Sequence, residues 1–379
     1  MERQRLLNEL MEEPQASARE ITFEDYLSMV VANPDLAKPA HARVHQMLQW
    51  HGTKPGPGAT PLYNLFTGTM FGMDGTLNRL AQYFHAAATG VEVRKRVLLL
   101  VGPPASGKSS IVTLLKQGLE RYTRTVEGST YAIKGCPMQE EPLHLISLER
   151  RDQMARQYGL KIEGDLCPRC LHALRHEYGG NIAVVPVLRV HFSQSEGVGI
   201  GSFVATAPEQ QDMARLVGSV DISQFSHDRL KGAGRAFRLD GELEAANRGI
   251  MEFIEIFKSD ERFLAVVLGV TQEQLIKLGS FGTVYADEVI IGHSNEEEYN
   301  SFVANKRAEA MLDRLIMIKI PYTLQIGEEV NIQRKLLAGT RPAGVHLAPL
   351  SLPMAAMVAI LSRIEPARRG GSLSHLSLR

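Results

Sequence analysis

Short apolar runs alternate with longer stretches of helical periodicity along most of the chain. The runs fall at 97–101, 131–133, 184–190, 289–291 and 315–320. Strands separated by helical segments predict an α/β fold, a parallel sheet covered by helices on both faces. Ahead of the first run, Phe23, Tyr26, Leu27 and Val30 recur at helical spacing, as do Leu77, Leu80, Ala81 and Phe84. Each set predicts one packed helix face. Residues 1–60 read as an N-terminal helical segment, broken at Pro14, Pro34 and Pro39 and closed by the linker-like stretch Gly52-Thr53-Lys54-Pro55-Gly56-Pro57-Gly58.

The core is expected over 61–325. More than a hundred residues separate the helix after Ser109 from Asp240. A strand–helix–strand unit needs about 30, so an insertion is expected at about 136–235. Residues 326–379 read as a partial helical lid, with a helix at 352–364, followed by a polar tail.

The run 97–101 leads into Gly102-Pro103-Pro104-Ala105-Ser106-Gly107-Lys108-Ser109-Ser110. Gly-x-x-x-x-Gly-Lys-Ser after a buried strand and before a helix is a phosphate loop. The glycines let the backbone curl until its amides face one concavity. Those amides and the positive helix end suit a triphosphate. Lys108 can reach the outer phosphates of ATP, and Ser109 can ligate Mg²⁺.

Hydrolysis needs an acidic partner. The segment Arg238-Leu239-Asp240-Gly241-Glu242-Leu243 offers one, with Asp240 near the Mg²⁺ and Glu242 as base; a surface turn with two solvated carboxylates is the alternative. Asn295 follows the run 289–291 and suits a γ-phosphate sensor, or equally an N-cap for the helix starting at Glu296. Arg314, in Ala310-Met311-Leu312-Asp313-Arg314-Leu315, suits an arginine acting on a neighbouring subunit's nucleotide. A salt bridge with Asp313 or Glu309 is the plainer reading.

Cys167-Pro168-Arg169-Cys170 is a Cys-x-x-Cys knuckle followed by His172 and His176. It could hold Zn²⁺ through Cys167, Cys170 and His176, with His172 or Cys136 as further ligands. Metal-free thiols and a redox pair are the other readings. The glycine-rich stretch 196–202 reads as a loop facing a substrate.

Composition narrows the classes. There are 42 basic and 42 acidic residues and the net charge is zero, so a nucleic-acid partner is not expected. No apolar run approaches the ~20 residues that cross a bilayer. The N-terminus does not read as a signal peptide. With three cysteines, a cytoplasmic setting is expected.

Several stretches together resemble the bacterial PrkA-type serine protein kinase family. They are Phe71-Gly72-Met73, the phosphate loop, Tyr131-Ala132-Ile133-Lys134-Gly135-Cys136-Pro137-Met138 and Glu141-Pro142-Leu143-His144-Leu145-Ile146. Glu177-Tyr178-Gly179-Gly180, Gly197 to Phe203, Gly241-Glu242-Leu243, Ala246-Asn247-Arg248-Gly249 and His293-Ser294-Asn295-Glu296 belong with them. The resemblance spans most of 20–365. It implies an AAA+ ATPase module of a stress-type kinase, acting as a homo-oligomeric ring on a protein substrate; a protein-remodelling motor, alone or with a protease, and a nucleotide-dependent scaffold without turnover are the alternatives. It supports Lys108, Ser109, Asp240, Glu242, Asn295 and Arg314 in the roles above, and Arg363 as a nucleotide-sensing residue. The resemblance also implies a kinase-like C-terminal domain in the family, which residues 1–379 are not expected to include.

Overall fold

The computed structural model describes residues 20–56, 61–205, 212–220, 237–278, 282–305, 309–338 and 346–364. At its centre is a five-stranded parallel sheet. Its strands, in spatial order, are Leu315–Lys319, Val97–Val101, Val289–Ser294, Ile250–Ile254 and Ile200–Val204. The register aligns Lys319, Val101 and Ser294, and separately His293, Ile254 and Val204, so all five carboxyl ends lie along one edge. A Val/Ile/Leu run buried on both faces is what such a sheet selects. Every residue of Val97–Val101 is at most 1% exposed.

Successive side chains of a strand point to opposite faces, and the two cores follow that rule. Leu98, Leu100, Ile250 and Ile291 pack with Ile111, Val112, Leu115 and Leu119 of the helix Lys108–Thr123. The same core takes in the helices Ala40–His51 and Asp74–Thr89. Val97, Leu99, Val101, Met251 and Phe253 face the other way, towards Phe263, Val267 and Val270 of the helix Glu261–Glu273. The result is a three-layer α/β sandwich, as the alternation of runs predicts.

Two of the five strands depart from the sequence reading. Ile250–Ile254 carries a buried glutamate, Glu252, at its centre, which breaks the apolar run. Ile200–Val204 begins within the stretch 196–202 expected to be a glycine-rich loop. A Cβ on Gly201 would meet the carbonyl oxygen of Glu242 at 2.3 Å. That glycine lets the short helix Glu242–Ala246 approach the edge strand.

Conversely, the runs at 131–133 and 184–190 contribute to a separate antiparallel sheet. Its order is Glu20–Thr22, Pro186–Val190, Thr130–Ile133. The N-terminal segment is therefore woven into the fold, with Phe23, Tyr26 and Val30 buried on the larger core as their spacing predicts. The linker-like stretch also differs: Thr53–Pro55 pairs antiparallel with Pro61–Tyr63. The tail after Ile364 lies outside the described residues. Among those described, no helix is long and apolar enough to cross a membrane.

Candidate nucleotide site

The phosphate loop leaves the carboxyl end of Val97–Val101, between the ends of Leu315–Lys319 and Val289–Ser294. Its sequence is dictated by close approaches. A Cβ on Gly102 would sit 2.1 Å from the carbonyl oxygen of Ile320. Gly107 has φ +96, and a Cβ there would meet Met70 Cε at 2.8 Å. Gly107 precedes the helix Lys108–Thr123 without a side-chain cap, so the first-turn amides are available to an anion. The Ser106 hydroxyl oxygen is buried and lacks a hydrogen-bond partner. Glycines that cannot be replaced, an uncapped helix start and a buried hydroxyl without a partner together fit a bound phosphate chain.

Lys108 donates through Nζ to the carbonyls of Gly102 and Pro103, at 2.7 and 2.8 Å. It is folded onto the loop whose ligand it would contact. Burial pushes its ammonium below the usual range, and the carboxylates of Glu298, Glu255 and Glu296 pull it back up. Ser109 and Ser110 are exposed on the first turn. From the segment after the strand Leu315–Lys319, the Tyr322 hydroxyl donates to the Pro104 carbonyl at 2.7 Å. Arg363 stacks its guanidinium 4.7 Å from the Tyr322 ring and pairs with Glu329 at 2.6 Å.

Asn295 follows the neighbouring strand, where Gly102 N donates to Ser294 O at 3.4 Å. Its side-chain oxygen accepts from Glu298 N at 2.7 Å, so it caps the helix Glu296–Val303. Its amide nitrogen stands on the same sheet edge as the loop.

Asp240 and Glu242 are not brought to that edge, which corrects their expected place beside Lys108 and the metal. Glu242 accepts through Oε2 from the Ser202 amide at 2.9 Å. Ser202 belongs to the outer strand, three strands from the loop strand, and is level with Leu98. At ~4.8 Å between strands and ~3.3 Å per residue, the phosphates are more than about 15 Å away. Glu242 secures the edge strand, and Asp240 is exposed beyond it.

The acid at the sheet edge is Glu255, which sequence reading missed. It follows Ile254 directly and has φ +56, a left-handed conformation that is rare outside glycine. Lys258 bridges it to Glu298, at 2.5 and 3.2 Å. The signal was present: 250–255 reads Ile-Met-Glu-Phe-Ile-Glu, an apolar strand ending in an acid, disguised by Glu252.

Arg314 occupies the opposite end of the sheet. Its carbonyl accepts from Val97 N at 2.9 Å, so it precedes the strand whose far end meets the loop. It cannot reach this chain's own phosphate loop.

The zinc ligand set expected from the knuckle also changes. His176 is exposed and lies tilted against His172, with ring centroids 4.4 Å apart. Cys136 and Glu140 approach Cys167 and Cys170 instead.

A family profile for the PrkA AAA domain matches residues 21–370. The chain belongs to that family. It is 46% identical over 359 residues to the ATP-dependent protease PrkA of Bacillus subtilis (strain 168), covering 94% of this chain and 57% of the relative. It is 32% identical over 303 residues to the serine/threonine kinase YeaG of Escherichia coli (strain K12), covering 78% of this chain and 46% of the relative. The chain thus spans about half the length of the curated relatives it matches. Among solved structures, NtrX from Brucella abortus in complex with ATP is similar at a TM-score of 0.38 and 11% identity, covering 79% of this chain and 52% of that one. Membership of the PrkA AAA family agrees with the parallel sheet and with the phosphate loop at its carboxyl edge.

Proposed function

We propose that this chain binds ATP with Mg²⁺ and hydrolyses it as one subunit of an oligomer, the AAA+ module of a PrkA-type protein. One observation carries the reading: the phosphate loop, Asn295 and Glu255 share the carboxyl edge of three adjacent strands. In this arrangement the loop amides and Lys108 hold the phosphates, and Ser109 ligates Mg²⁺. Glu255 replaces Glu242 as the group that polarises the attacking water. Asn295, fixed by its cap, offers its amide nitrogen to the γ-phosphate.

Arg314 stands at the opposite end of the sheet from its own phosphate loop and so suits a neighbouring subunit's nucleotide, where its planar charge would stabilise the transferring phosphoryl group. Asp240 keeps no metal role in this reading.

What the ATP drives is a protein-directed process. The relatives carry two names, a protease and a serine/threonine kinase, and each is about twice as long as the segment matched here. The B. subtilis name favours a remodelling motor that delivers protein substrates, and the E. coli name favours phosphoryl transfer to serine.

Incubation with γ-labelled ATP and an unfolded acceptor protein separates these readings, with free phosphate and phosphoprotein measured together. Phosphate release stimulated by the acceptor and absent in Lys108→Ala supports the motor. Phosphoprotein formed by this chain supports the kinase. Equal phosphate release by Lys108→Ala and the parent would overturn the site itself.

A further inference from the structure

The chain has three cysteines, and the fold gathers all of them at one point away from the nucleotide site. Cys136 lies on the turn after Thr130–Ile133, beside Gly135 at φ +75. Cys167 starts the helix Pro168–His176, and its Sγ accepts from Cys170 N at 3.4 Å. The Sγ atoms of Cys136 and Cys167 are 3.9 Å apart. Glu140 joins them: its Oε2 is 3.8 Å from Cys136 Sγ, and its Oε1 accepts from Cys167 N at 2.7 Å. The four ligand atoms lie within 4.8 Å of one another, and all four residues are buried.

These spacings have a chemical meaning. A disulfide holds its sulfurs at ~2.05 Å. Two thiolates at ~2.3 Å from one tetrahedral zinc stand about 3.8 Å apart. The thiols therefore have the separation of co-ligands. Soft sulfur donors with one carboxylate suit zinc better than magnesium or calcium. Three thiolates, a carboxylate and Zn²⁺ sum to a charge of −2. Donors already face the ligands: Cys170 N to sulfur, Cys167 N to carboxylate, and His144 Nδ1 to Glu140 Oε1 at 3.3 Å.

We propose that Cys136, Glu140, Cys167 and Cys170 bind one structural zinc ion. It closes the segment between Cys136 and Cys167, whose helix Leu148–Tyr158 has no fully buried side chain and packs on the core through the partly buried Met154. The turn that carries Cys136 is also attached to the nucleotide-binding core. Asn247 Nδ2 donates to Met138 O at 2.8 Å, and Arg248 donates to Gln139 O at 3.3 Å and pairs with Glu141. Residues 247–248 lead into the strand Ile250–Ile254, which Glu255 follows. The ion would thus brace the insertion against that strand. Binding displaces the thiol protons and forms three zinc–sulfur bonds and one zinc–oxygen bond, with no change of oxidation state.

The test is metal analysis of the whole chain purified under reductant without chelator. One zinc per chain is expected, released as a mercurial reagent titrates the thiols. Anaerobic exchange for Co²⁺ should give thiolate-to-cobalt charge transfer and tetrahedral d–d bands. Cys136→Ser and Glu140→Gln should lower zinc retention against a competing chelator by ~10-fold or more, while His172→Ala and His176→Ala retain it like the parent. The cobalt spectrum of the parent decides the matter even where Cys136→Ser does not fold. A parent chain that holds no zinc and shows no thiolate–cobalt bands overturns the proposal. So does loss of zinc in His176→Ala equal to that in Cys136→Ser, or a Cys136–Cys167 disulfide in protein kept under reductant.

Discussion

Lys116 Nζ stands 2.6 Å from Glu252 Oε2 beneath the parallel sheet, with the two side chains 6% and 4% exposed. One comes from the phosphate-loop helix and the other from the centre of the strand Ile250–Ile254. Ser202 donates its hydroxyl to the same carboxylate at 3.3 Å, and His293 Nε2 faces the other oxygen at 3.2 Å. Burial alone would raise the Glu252 carboxyl, but hydrogen bonds from His293 and Lys116 hold it below its usual range.

Removing one partner of this pair leaves a buried charge uncompensated. Glu252→Leu is expected to cost about 3–5 kcal/mol in chemical denaturation. The double variant Glu252→Leu with Lys116→Met should cost less than the sum of the single changes. Additive losses would show that the pair is not coupled.

Gly102→Ala tests the fit of the phosphate loop, because the new methyl group would sit 2.1 Å from the Ile320 carbonyl oxygen. The loop must then move from its strand. Nucleotide affinity, read with a fluorescent analogue, should fall by ~10-fold or more, equivalent to about 1.4 kcal/mol. Unchanged affinity would mean that the loop tolerates this shift without altering its amides.

Glu255→Gln and Glu242→Gln separate the two acidic residues. The first should keep ATP binding and lose hydrolysis by ~10²-fold or more. The second should keep turnover near the parent value and weaken the edge strand at Ser202, seen as faster amide exchange there. The reverse pattern would return the catalytic acid to Glu242.

Arg314 gives a test in mixtures. Arg314→Ala and Lys108→Ala should each be inactive alone. Mixed, they should regain part of the phosphate release, because a site with an intact loop can meet an intact arginine from its neighbour. No recovery in mixed assemblies confirmed by sedimentation would exclude the shared site.

A pH dependence follows from Glu244. Burial and the nearby charge of Asp240 push its carboxyl up to about 8. Glu288 is raised as well, by burial and by the charges of Glu244 and Asp287. Such groups keep their protons in the folded state. The contribution of Glu244 is fully present below the ordinary carboxylate range and is lost as pH rises through its folded pKa of about 8, and that of Glu288 runs in the same direction. Tm should therefore fall between pH 5 and pH 9, and Glu244→Gln should flatten that fall. A parent Tm that rises over this window would contradict the assignment.

The phosphate loop was legible because its chemistry is local: eight consecutive residues between a buried strand and a helix. The N-cap at Asn295 was legible for the same reason, and the structure commits its side-chain oxygen to that cap at the end of the strand beside the loop strand. Glu255 was hidden because pattern reading takes an acid inside an apolar run as the end of a strand. Glu252 is a polar residue whose partner, Lys116, lies 136 positions away.

The sequence by itself determined the α/β class, the nucleotide loop and the helices that cover it, since each depends on neighbours within a few turns of chain. Tertiary structure alone decided which runs share a sheet, which acid follows the strand next but one to the loop strand and which groups surround Cys167. Those outcomes depend on contacts between residues far apart in sequence. Strand order, the burial of Glu252 and the convergence of Cys136 with Cys167 arise only when the whole core closes.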